Sequence, residues 1–249
     1  PMTERPKGPK LKTFELPRGR SIGKSYKVES KLGGGSEGEV YQICDQTTGI
    51  SRAAKIYFPH RDPKQRLTAQ HARKLNQLRD CQLVLQFLHT QEVRIGQYRT
   101  MAMISELCEG EPLQRWIDQH RASRVRDYVA LTVLHSLAKG LEQIHAAGQY
   151  HSDVHTENIL IQSSGIHFQL KLIDFYEWGK PSRPKMQQDI LGAARVLYDM
   201  LGGRAYYNKA LPESKHIVAG LRSATILKRF PTASALRHYL ETYTPSKVY

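Results

Sequence analysis

The sequence predicts an α+β fold in which a strand-rich part with one helix precedes a mainly helical part. Before residue 106, short runs of β-branched and aromatic residues alternate with turns, and apolar residues recur at helical spacing only over residues 67–78. After residue 111 helical spacing dominates, above all over residues 127–147, where Gly148 ends the pattern. A chain of 249 residues can form one domain or two tightly joined lobes.

Five segments of the first part are predicted to be strands. They are residues 26–32, 40–44, 51–57, 83–89 and 98–105. In the second part, the apolar runs 159–161 and 170–173 flank a Ser-Ser-Gly turn and are predicted to form a hairpin.

The net charge of +14 predicts attraction to an acidic surface. Lysine, arginine and proline recur through residues 1–24, which are predicted to form a basic arm that is flexible in part. The favoured partner of the basic surface is a protein or an anionic substrate. Nucleic acid is the alternative, although the chain has no nucleic-acid-binding motif and no regular interleaving of aromatic and basic residues.

Two further features of the sequence concern the cellular location of the protein. The longest apolar stretches are interrupted by His, Lys or Arg, so no transmembrane segment is predicted. Cys44, Cys81 and Cys108 lack the spacing of a metal site and are predicted to be reduced thiols in a cytoplasmic protein.

A glycine-rich loop, residues 33–38, separates the first two predicted strands. Glycines at positions 33, 35 and 38 remove Cβ atoms where a backbone could approach a ligand closely, and the loop amides could cover phosphates. A dinucleotide-binding site requires a helix after such glycines, and here a strand follows. By itself the loop could also be an ordinary hairpin turn.

Two acids and an amide lie at the ends of the short apolar runs in the second part. Asp153 and Asn158 precede the first strand of the hairpin, and Asp174 follows the second. Oxygen ligands of this kind suit a hard cation such as Mg²⁺, which binds one or two carboxylates together with substrate phosphates. Ordinary loop carboxylates are the alternative.

The motifs around these residues resemble those of protein kinases. His151-Ser152-Asp153 with Asn158 is similar to the catalytic loop, and Asp174-Phe175-Tyr176 is similar to the metal-binding motif. The glycine-rich loop, followed by Val40 and by Ala53-Ala54-Lys55, matches the order of the nucleotide-binding motifs. The resemblance covers residues 26–243.

It implies a bilobal protein kinase-like fold. The expected small lobe, residues 25–105, is a five-stranded antiparallel sheet with one helix. A hinge at 106–110 then leads to a mainly helical lobe at 111–249, with ATP bound between the lobes.

The resemblance also implies a role for each candidate site residue. Asp153 is expected to accept the hydroxyl proton and Lys55 to contact the α- and β-phosphates, while Asn158 and Asp174 hold Mg²⁺. Asp189 is expected to orient the backbone of the catalytic loop. The residues expected to contact ATP are Leu32, Gly33, Gly34, Gly35, Ser36, Gly38, Val40, Ala53, Lys55, Glu106 and Cys108.

The chain departs from the kinase pattern at the partner of the lysine. In that family a glutamate on the small-lobe helix pairs with the lysine, but residues 67–78 contain no acid. By register His71 or Gln70 takes its place, facing the cleft without forming an ion pair. We therefore expect Lys55 to lie near Asp174.

The second departure is the short interval of fifteen positions from Asp174 to Asp189. It lacks an A-P-E motif and has no room for an activation loop. Consistently, Ser152 replaces the arginine that pairs with such a loop, and His155 replaces the usual lysine. The pattern His-x-Asp-x-His is also similar to small-molecule kinases of the aminoglycoside type.

Three functions follow from these observations. The favoured one is transfer of the ATP γ-phosphate to a protein Ser/Thr hydroxyl without an activation loop. The first alternative is a kinase for a small molecule, lipid or sugar. The second is a pseudokinase-like module that binds ATP and acts through its interactions.

Overall fold

The computed structural model describes residues 11–120, 125–165, 167–175 and 179–244, and these divide into two compact units. Within the described residues the first unit runs to Asn76 and also contains Gln86–Cys108. The second unit contains Gln77–Leu85 and the chain from Glu109 onward. The division after Cys108 falls inside the predicted hinge. Tyr176 and residues 1–10 of the predicted arm lie outside the described residues.

The first unit contains a sheet of antiparallel pairs and the helix α1. The strands run in the order β1-β2-β3-β4-β6-β5. Their bounds are β1 Ser21–Ile22, β2 Tyr26–Gly34, β3 Gly38–Asp45, β4 Ser51–Tyr57, β5 Phe87–Ile95 and β6 Tyr98–Glu106, and α1 is Arg66–Gln77.

The prediction of five strands is wrong, because the sheet has six. The extra strand β1 lies in the segment predicted to be an arm and pairs with β2 across a tight turn at Gly23, whose φ is +60°. Ile22 is fully buried there. A strand of two residues is too short to show the alternation by which strands are recognised in a sequence.

The fourth predicted strand, at 83–89, also needs correction. The strand observed is Phe87–Ile95, whereas Leu83 and Val84 belong to the second unit. The amide of Leu172 donates to the carbonyl of Leu83 at 2.7 Å, and Val84 forms a bridge with Leu172. Leu83 and Val84 are buried, and burial produces an apolar run whether or not the segment joins a sheet.

Strands β3 and β4 separate a core face from a half-buried face. Tyr41, Ile43, Ala54 and Ile56 are fully buried in one cluster. Because successive side chains of a strand point to opposite faces, the residues between them project to the other side. The side chain of Lys55 lies on that other face.

The second unit combines a small sheet with most of the helices. The predicted hairpin is confirmed, since β8 pairs antiparallel with β9, and β7 pairs with β8 on the other side. The strands are β7 Glu111–Pro112, β8 Ile159–Ser164 and β9 His167–Leu172. The helices are α2 Leu113–Gln119, α3 Asp127–Ala146, α4 Arg183–Met200, α5 Gly203–Tyr206, α6 Pro212–Val218, α7 Ser223–Arg229 and α8 Ala233–Thr242.

Helix α3 is the centre of the second unit and packs against α4 and α8. Leu134, Leu137, Leu141 and Ile144 recur at helical spacing and are fully buried. Gly140 lets Leu83 pack closely against helix α3, because a Cβ at this position would lie 2.4 Å from Leu83 Cδ2. In the part of the chain that the structure describes, no helix is long and apolar enough to cross a membrane.

Candidate active site

The glycine-rich loop connects β2 to β3 and is held by the end of β4. The amide of Phe58 donates to the carbonyl of Glu37 at 2.8 Å, and Arg61 Nε donates to the carbonyl of Ser36 at 3.0 Å. These bonds satisfy two carbonyls of the loop and set its position relative to β4.

Gly33 and Gly38 of the loop differ in what surrounds them. A Cβ at Gly38 would lie 2.1 Å from the carbonyl oxygen of Ile56, so the approach of β3 to β4 requires a glycine there. Around Gly33, no described atom lies within 4 Å of the position that a Cβ would take. Packing within the protein therefore accounts for Gly38, whereas the open space at Gly33 leaves its backbone accessible to a ligand.

Three of the predicted ATP contacts lie on the same face of the sheet. Val40 is the register partner of Lys55, and Ala53 lies two residues before Lys55. All three are half-buried, while Leu32 is half exposed at the end of β2. The strand register therefore presents one small side chain, one branched apolar side chain and one ammonium to the same side.

The two residues predicted for the hinge contacts follow β6. The amide of Glu106 donates to the carbonyl of Gln86 at 3.0 Å, and the Glu106 carboxylate accepts from the Gln86 amide at 2.9 Å. The carbonyl of Glu106 is thus the backbone group of this residue that could receive a base amine. Cys108, the last residue of the first unit, is half-buried.

Lys55 forms an ion pair with a residue that the sequence analysis did not single out. Its Nζ lies 3.2 Å from Glu37 Oε2, and the two side chains are 14% and 17% exposed. Its ammonium also lies 5.4 Å from the ring centroid of Tyr57. The predicted proximity of Lys55 to Asp174 remains a prediction.

Helix α1 confirms the absence of an acid opposite this lysine, since none of its twelve residues is Asp or Glu. That His71 or Gln70 faces the cleft stays a prediction; His71 is buried, and its Nδ1 hydrogen-bonds the hydroxyl of Tyr57. Gln70 is exposed. Where the kinase pattern has a carboxylate, the helix therefore contributes the hydrogen bond between His71 and Tyr57.

A second carboxylate, Glu39, is buried on the opposite face of β3. It accepts hydrogen bonds from the Thr13 hydroxyl at 2.6 Å and the Phe14 amide at 3.0 Å. The hydroxyl of Tyr41 and the ammonium of Lys31 also donate to it. Burial alone would raise the pKa of this carboxyl, but these donors outweigh burial and lower its pKa to about 2.

The contacts of Glu39 dock the N-terminal segment, residues 11–17, on the sheet. Phe14 packs against Phe58 with ring centroids 5.1 Å apart, and the amide of Leu16 donates to the hydroxyl of Tyr41 at 3.2 Å. Phe14 and Leu16 also pack on the buried cluster of the sheet. The predicted boundary at residue 24 is therefore corrected, because the chain from about residue 13 is already part of the first unit.

In the second unit, the catalytic loop, residues 151–158, is organised by Asp189 of helix α4. This fully buried carboxylate accepts from the amide of His151 at 2.9 Å and from the amide of Ser152 at 2.6 Å. His145 Nε2 lies 2.9 Å from the same carboxylate. The prediction that Asp189 orients the loop is confirmed.

The Asp189 contacts offset an unfavourable backbone conformation. Ser152 has a φ of +71°, in the left-handed region that costs a residue with a Cβ on the order of 1 kcal/mol. Each hydrogen bond contributes on the order of 1 kcal/mol, so the two bonds together offset this cost. The turn directs the next residue, Asp153, out of the core, so that its side chain is 46% exposed.

The imidazole of His151 connects the catalytic loop to the segment before Asp174. Its Nε2 donates to the carbonyl of Ile173 at 2.8 Å, and its Nδ1 accepts from the amide of Asp153 at 3.2 Å. These two bonds require the neutral ring with the proton on Nε2. Phe175 is buried with its ring edge-on to His151 at 4.5 Å between centroids. The ring of His151 thus links the backbone of Asp153 to the backbone next to Asp174.

The side chain of Asp153 is oriented by two neighbours. Asn158 Nδ2 donates to Asp153 Oδ2 at 3.1 Å and to the Asp153 carbonyl at 3.0 Å. His155 Nε2 lies 3.4 Å from the same Oδ2. Among the described residues nothing hydrogen-bonds Oδ1, so this oxygen can accept a proton from a substrate hydroxyl.

Asn158 and Asp174 have the donor atoms that Mg²⁺ requires. Because Asn158 Nδ2 is used by Asp153, its Oδ1 is the atom left to act as a ligand. The amide of Ile173 donates to the carbonyl of Asn158 at 2.9 Å, which places the residue before Asp174 beside Asn158. Among the described residues no cluster of three or more His, Cys, Asp or Glu could form a complete metal cage. An amide and a carboxylate nevertheless suit a Mg²⁺ ion completed by phosphate oxygens.

Sequence reasoning missed Glu37, Glu39 and His145. Glu39 carried one local signal, an acid between the apolar or small neighbours of a predicted strand, where a buried charge requires donors. Two of its four donors, Thr13 and Phe14, lie 26 and 25 residues away in the chain, so no spacing rule identifies them.

Three comparisons with known proteins agree with this geometry. The family model described as the protein kinase domain matches residues 26–206. Serine/threonine-protein kinase PknA of Mycobacterium tuberculosis is 29% identical over 161 residues, which cover 63% of this chain and 36% of PknA. Serine/threonine-protein kinase PkaA of Streptomyces coelicolor is 24% identical over 219 residues, which cover 74% of this chain and 40% of PkaA. The chain therefore spans less than half the length of these curated relatives.

A solved structure supports the same fold. The crystal structure of a cysteine-to-alanine mutant of the Mycobacterium tuberculosis PknI kinase domain superposes with a TM-score of 0.67 at 16% sequence identity. The match covers 91% of this chain and 98% of that chain. At this identity the likeness establishes the kinase-like α+β fold.

Proposed function

Because the chain belongs to the protein kinase domain family, we propose that it transfers the γ-phosphate of ATP to a hydroxyl group, in the first place that of a protein serine or threonine. The observation that carries the proposal is the network around Asp189. It holds the backbone of the loop that bears Asp153 and Asn158 through two hydrogen bonds to a fully buried side chain. A module that only binds ATP has no use for an oriented base.

Each residue has a role that its surroundings support. Asp153 accepts the proton of the attacking hydroxyl at Oδ1, since Asn158 and His155 hold Oδ2. Lys55 binds phosphate oxygens of the nucleotide, and Val40 and Ala53 on the same face contact the base. The glycine-rich loop covers the phosphates with its amides.

Asn158 Oδ1 and the Asp174 carboxylate would hold Mg²⁺. When bound, the ion neutralises the negative charge that phosphate oxygens develop during transfer. His151 connects the segments that carry the two ligands, because its ring bonds the backbone of Asp153 in the loop of Asn158 and the backbone of Ile173 next to Asp174. We therefore expect Mg²⁺-dependent ATP binding.

The acceptor class is proposed from the interval between Asp174 and Asp189. Helix α4 begins at Arg183, so few residues remain for an activation loop or a peptide platform. This observation favours an enzyme that needs no activating phosphate, and it also keeps the small-molecule, lipid or sugar kinase as the second candidate. The basic surface favours an acidic protein or an anionic acceptor over nucleic acid. The free thiols of Cys44, Cys81 and Cys108 support a cytoplasmic, reducing location.

The test is ATP turnover with Mg²⁺ against three acceptor sets: a Ser/Thr-rich acidic protein, anionic sugars and lipid headgroups, and water alone. We expect phosphoprotein formation by the wild type and a loss of roughly 10²–10⁴-fold in Asp153→Asn. The matched control is Glu157→Gln, an exposed carboxylate of the same loop, which should keep full turnover.

The outcomes separate the candidate functions. A labelled sugar or headgroup without phosphoprotein would replace the protein acceptor with a small one. The remaining candidate would be the pseudokinase-like binding module if ATP stabilised the protein in a thermal-shift titration but no acceptor was phosphorylated and Asp153→Asn had no effect. Absence of ATP stabilisation even at large excess would contradict nucleotide binding altogether.

A further inference from the structure

The lysine proposed to bind phosphate has its carboxylate neighbour on the glycine-rich loop. Lys55 Nζ and Glu37 Oε2 are 3.2 Å apart, and both side chains are largely withdrawn from water, at 14% and 17% exposure. Ion pairs in such surroundings are screened less than surface pairs, so their attraction is larger. This pair is therefore more than a surface contact.

Helix α1, which supplies the carboxylate in the kinase pattern, cannot do so here. It spans Arg66–Gln77 without an acid. Its inward residue at this level, His71, is buried and bonded to the hydroxyl of Tyr57. Tyr57 lies two residues after Lys55 on the same face of β4, so the contact of the helix next to the lysine is a hydrogen bond to Tyr57.

Glu37, by contrast, projects from an anchored backbone. Its carbonyl accepts from the Phe58 amide at 2.8 Å, and the carbonyl before it accepts from Arg61 Nε at 3.0 Å. Directly after it, Gly38 packs against β4 so closely that no Cβ fits. The carboxylate therefore reaches Lys55 from a segment whose position relative to β4 is already set.

We propose that Glu37 is a positioning residue that holds the ammonium of Lys55 for the phosphates of ATP, in place of the acid missing from α1. The inference rests on the proposed function, since it assigns a task within that site. An ammonium has three donors, so a bond to Glu37 does not prevent the same group from donating to phosphate oxygens. Holding the flexible four-carbon stem keeps the ammonium in the place where it stabilises the phosphate during transfer, so that less rotamer entropy is lost on reaching the transition state.

The kinetic test is Glu37→Gln, which keeps the size of the side chain and removes its charge. We expect kcat to fall roughly 10- to 100-fold, as for a misplaced binding group, while the KM for ATP changes less than about 3-fold. Glu29→Gln is the matched control: it makes the same change in the same unit, where Glu29 bonds only Gln42 and Ser51 among the described residues. It should leave kcat unchanged.

Two kinetic results would overturn the proposal. If Glu37→Gln bound ATP more tightly and turned over faster, Glu37 would compete with phosphate for the lysine instead of positioning it. If Glu29→Gln lost as much activity, the effect would be general damage to the sheet.

A second measurement does not depend on activity. In the nucleotide-free protein with ¹³C-labelled lysine, the Lys55 Cε signal is assigned by its disappearance in Lys55→Arg. We expect a restricted Cε in the wild type and in Glu29→Gln, and a mobile one in Glu37→Gln. Equal mobility in all three proteins would overturn the inference, even with an active enzyme. Absence of turnover together with the expected mobility change would instead refute the proposed function and leave the Lys55–Glu37 pairing standing.

Discussion

Each of the two units contains a buried carboxylate that bonds the backbone of a distant segment, but the two carboxylates hold different things. Asp189 in the second unit accepts from the amides of His151 and Ser152 and thereby holds the loop that carries the proposed base. Glu39 in the first unit accepts from Thr13 and from the amide of Phe14 and thereby holds the N-terminal segment, on the face of β3 opposite Lys55.

The comparison shows that the two units hold the candidate site residues by different contacts. Asp153 and Asn158 belong to a loop that the fully buried Asp189 holds. Lys55, by contrast, is paired with Glu37 of a loop that is exposed over most of its length. The departures from the kinase pattern fall accordingly. The carboxylate beside the lysine lies on the glycine-rich loop, since α1 has no acid, while the acid that orients the catalytic loop is where the family has it.

The largest effect is expected from Asp189→Asn. The amide retains one acceptor oxygen, so one of the two backbone amides that bond Asp189 loses its acceptor. We expect a loss of roughly 3–5 kcal/mol in the free energy of unfolding, together with a fall in kcat of about 100-fold or more, measured by urea denaturation and by ATP turnover. Asp199→Asn on the same helix, whose carboxylate pairs with Arg195 near the surface, should cost less than about 1 kcal/mol. Equal losses in the two variants would show that Asp189 is no special anchor.

The pH dependence of stability tests the anchor of the first unit. Ionised Glu39 is stabilised by its donors, so its contribution is complete above its ordinary pKa of 4.5 and is lost as the pH falls toward about 2. A shift of this size corresponds to roughly 3 kcal/mol. Glu39→Gln should therefore be less stable than wild type at pH 7, and the difference should shrink progressively below about pH 4.5.

Urea denaturation of both proteins between pH 7 and pH 3 measures this difference. Glu29→Gln again serves as the control and should show a small difference that varies little with pH. A Glu39→Gln difference that stayed constant over the whole range would contradict an ionised, hydrogen-bonded Glu39.

The smallest effect is expected from Thr13→Val, which removes one hydroxyl donor of Glu39 and keeps the shape of the side chain. We expect a loss of about 1 kcal/mol in the free energy of unfolding, since Phe14, Lys31 and Tyr41 still donate to the carboxylate. In Glu39→Gln the same Thr13→Val change should cost clearly less, because the two side chains contact each other. Additive losses in the double variant would mean that the N-terminal segment is held without this bond.

The sequence by itself determined the parts of the site that depend on near neighbours. Asp153 and Asn158 are five residues apart and bond each other, and the hairpin that ends at Asp174 turns over a Ser-Ser-Gly sequence that suits a tight turn. The alternation of β3 and β4 likewise sets which face Val40, Ala53 and Lys55 share. Such contacts follow from local geometry, so motif and spacing are sufficient to predict them.

Only the tertiary structure decided which distant segments complete these motifs. The docking of Phe14 on Glu39, the sixth strand at Ser21–Ile22 and the ion pair of Lys55 with Glu37 join parts of the chain whose separation has no fixed value. A buried carboxylate needs donors, but any nearby backbone amide or hydroxyl satisfies that need. Which group does so depends on how the whole sheet packs, and this is why the N-terminal segment was predicted to be an arm and is found against the sheet.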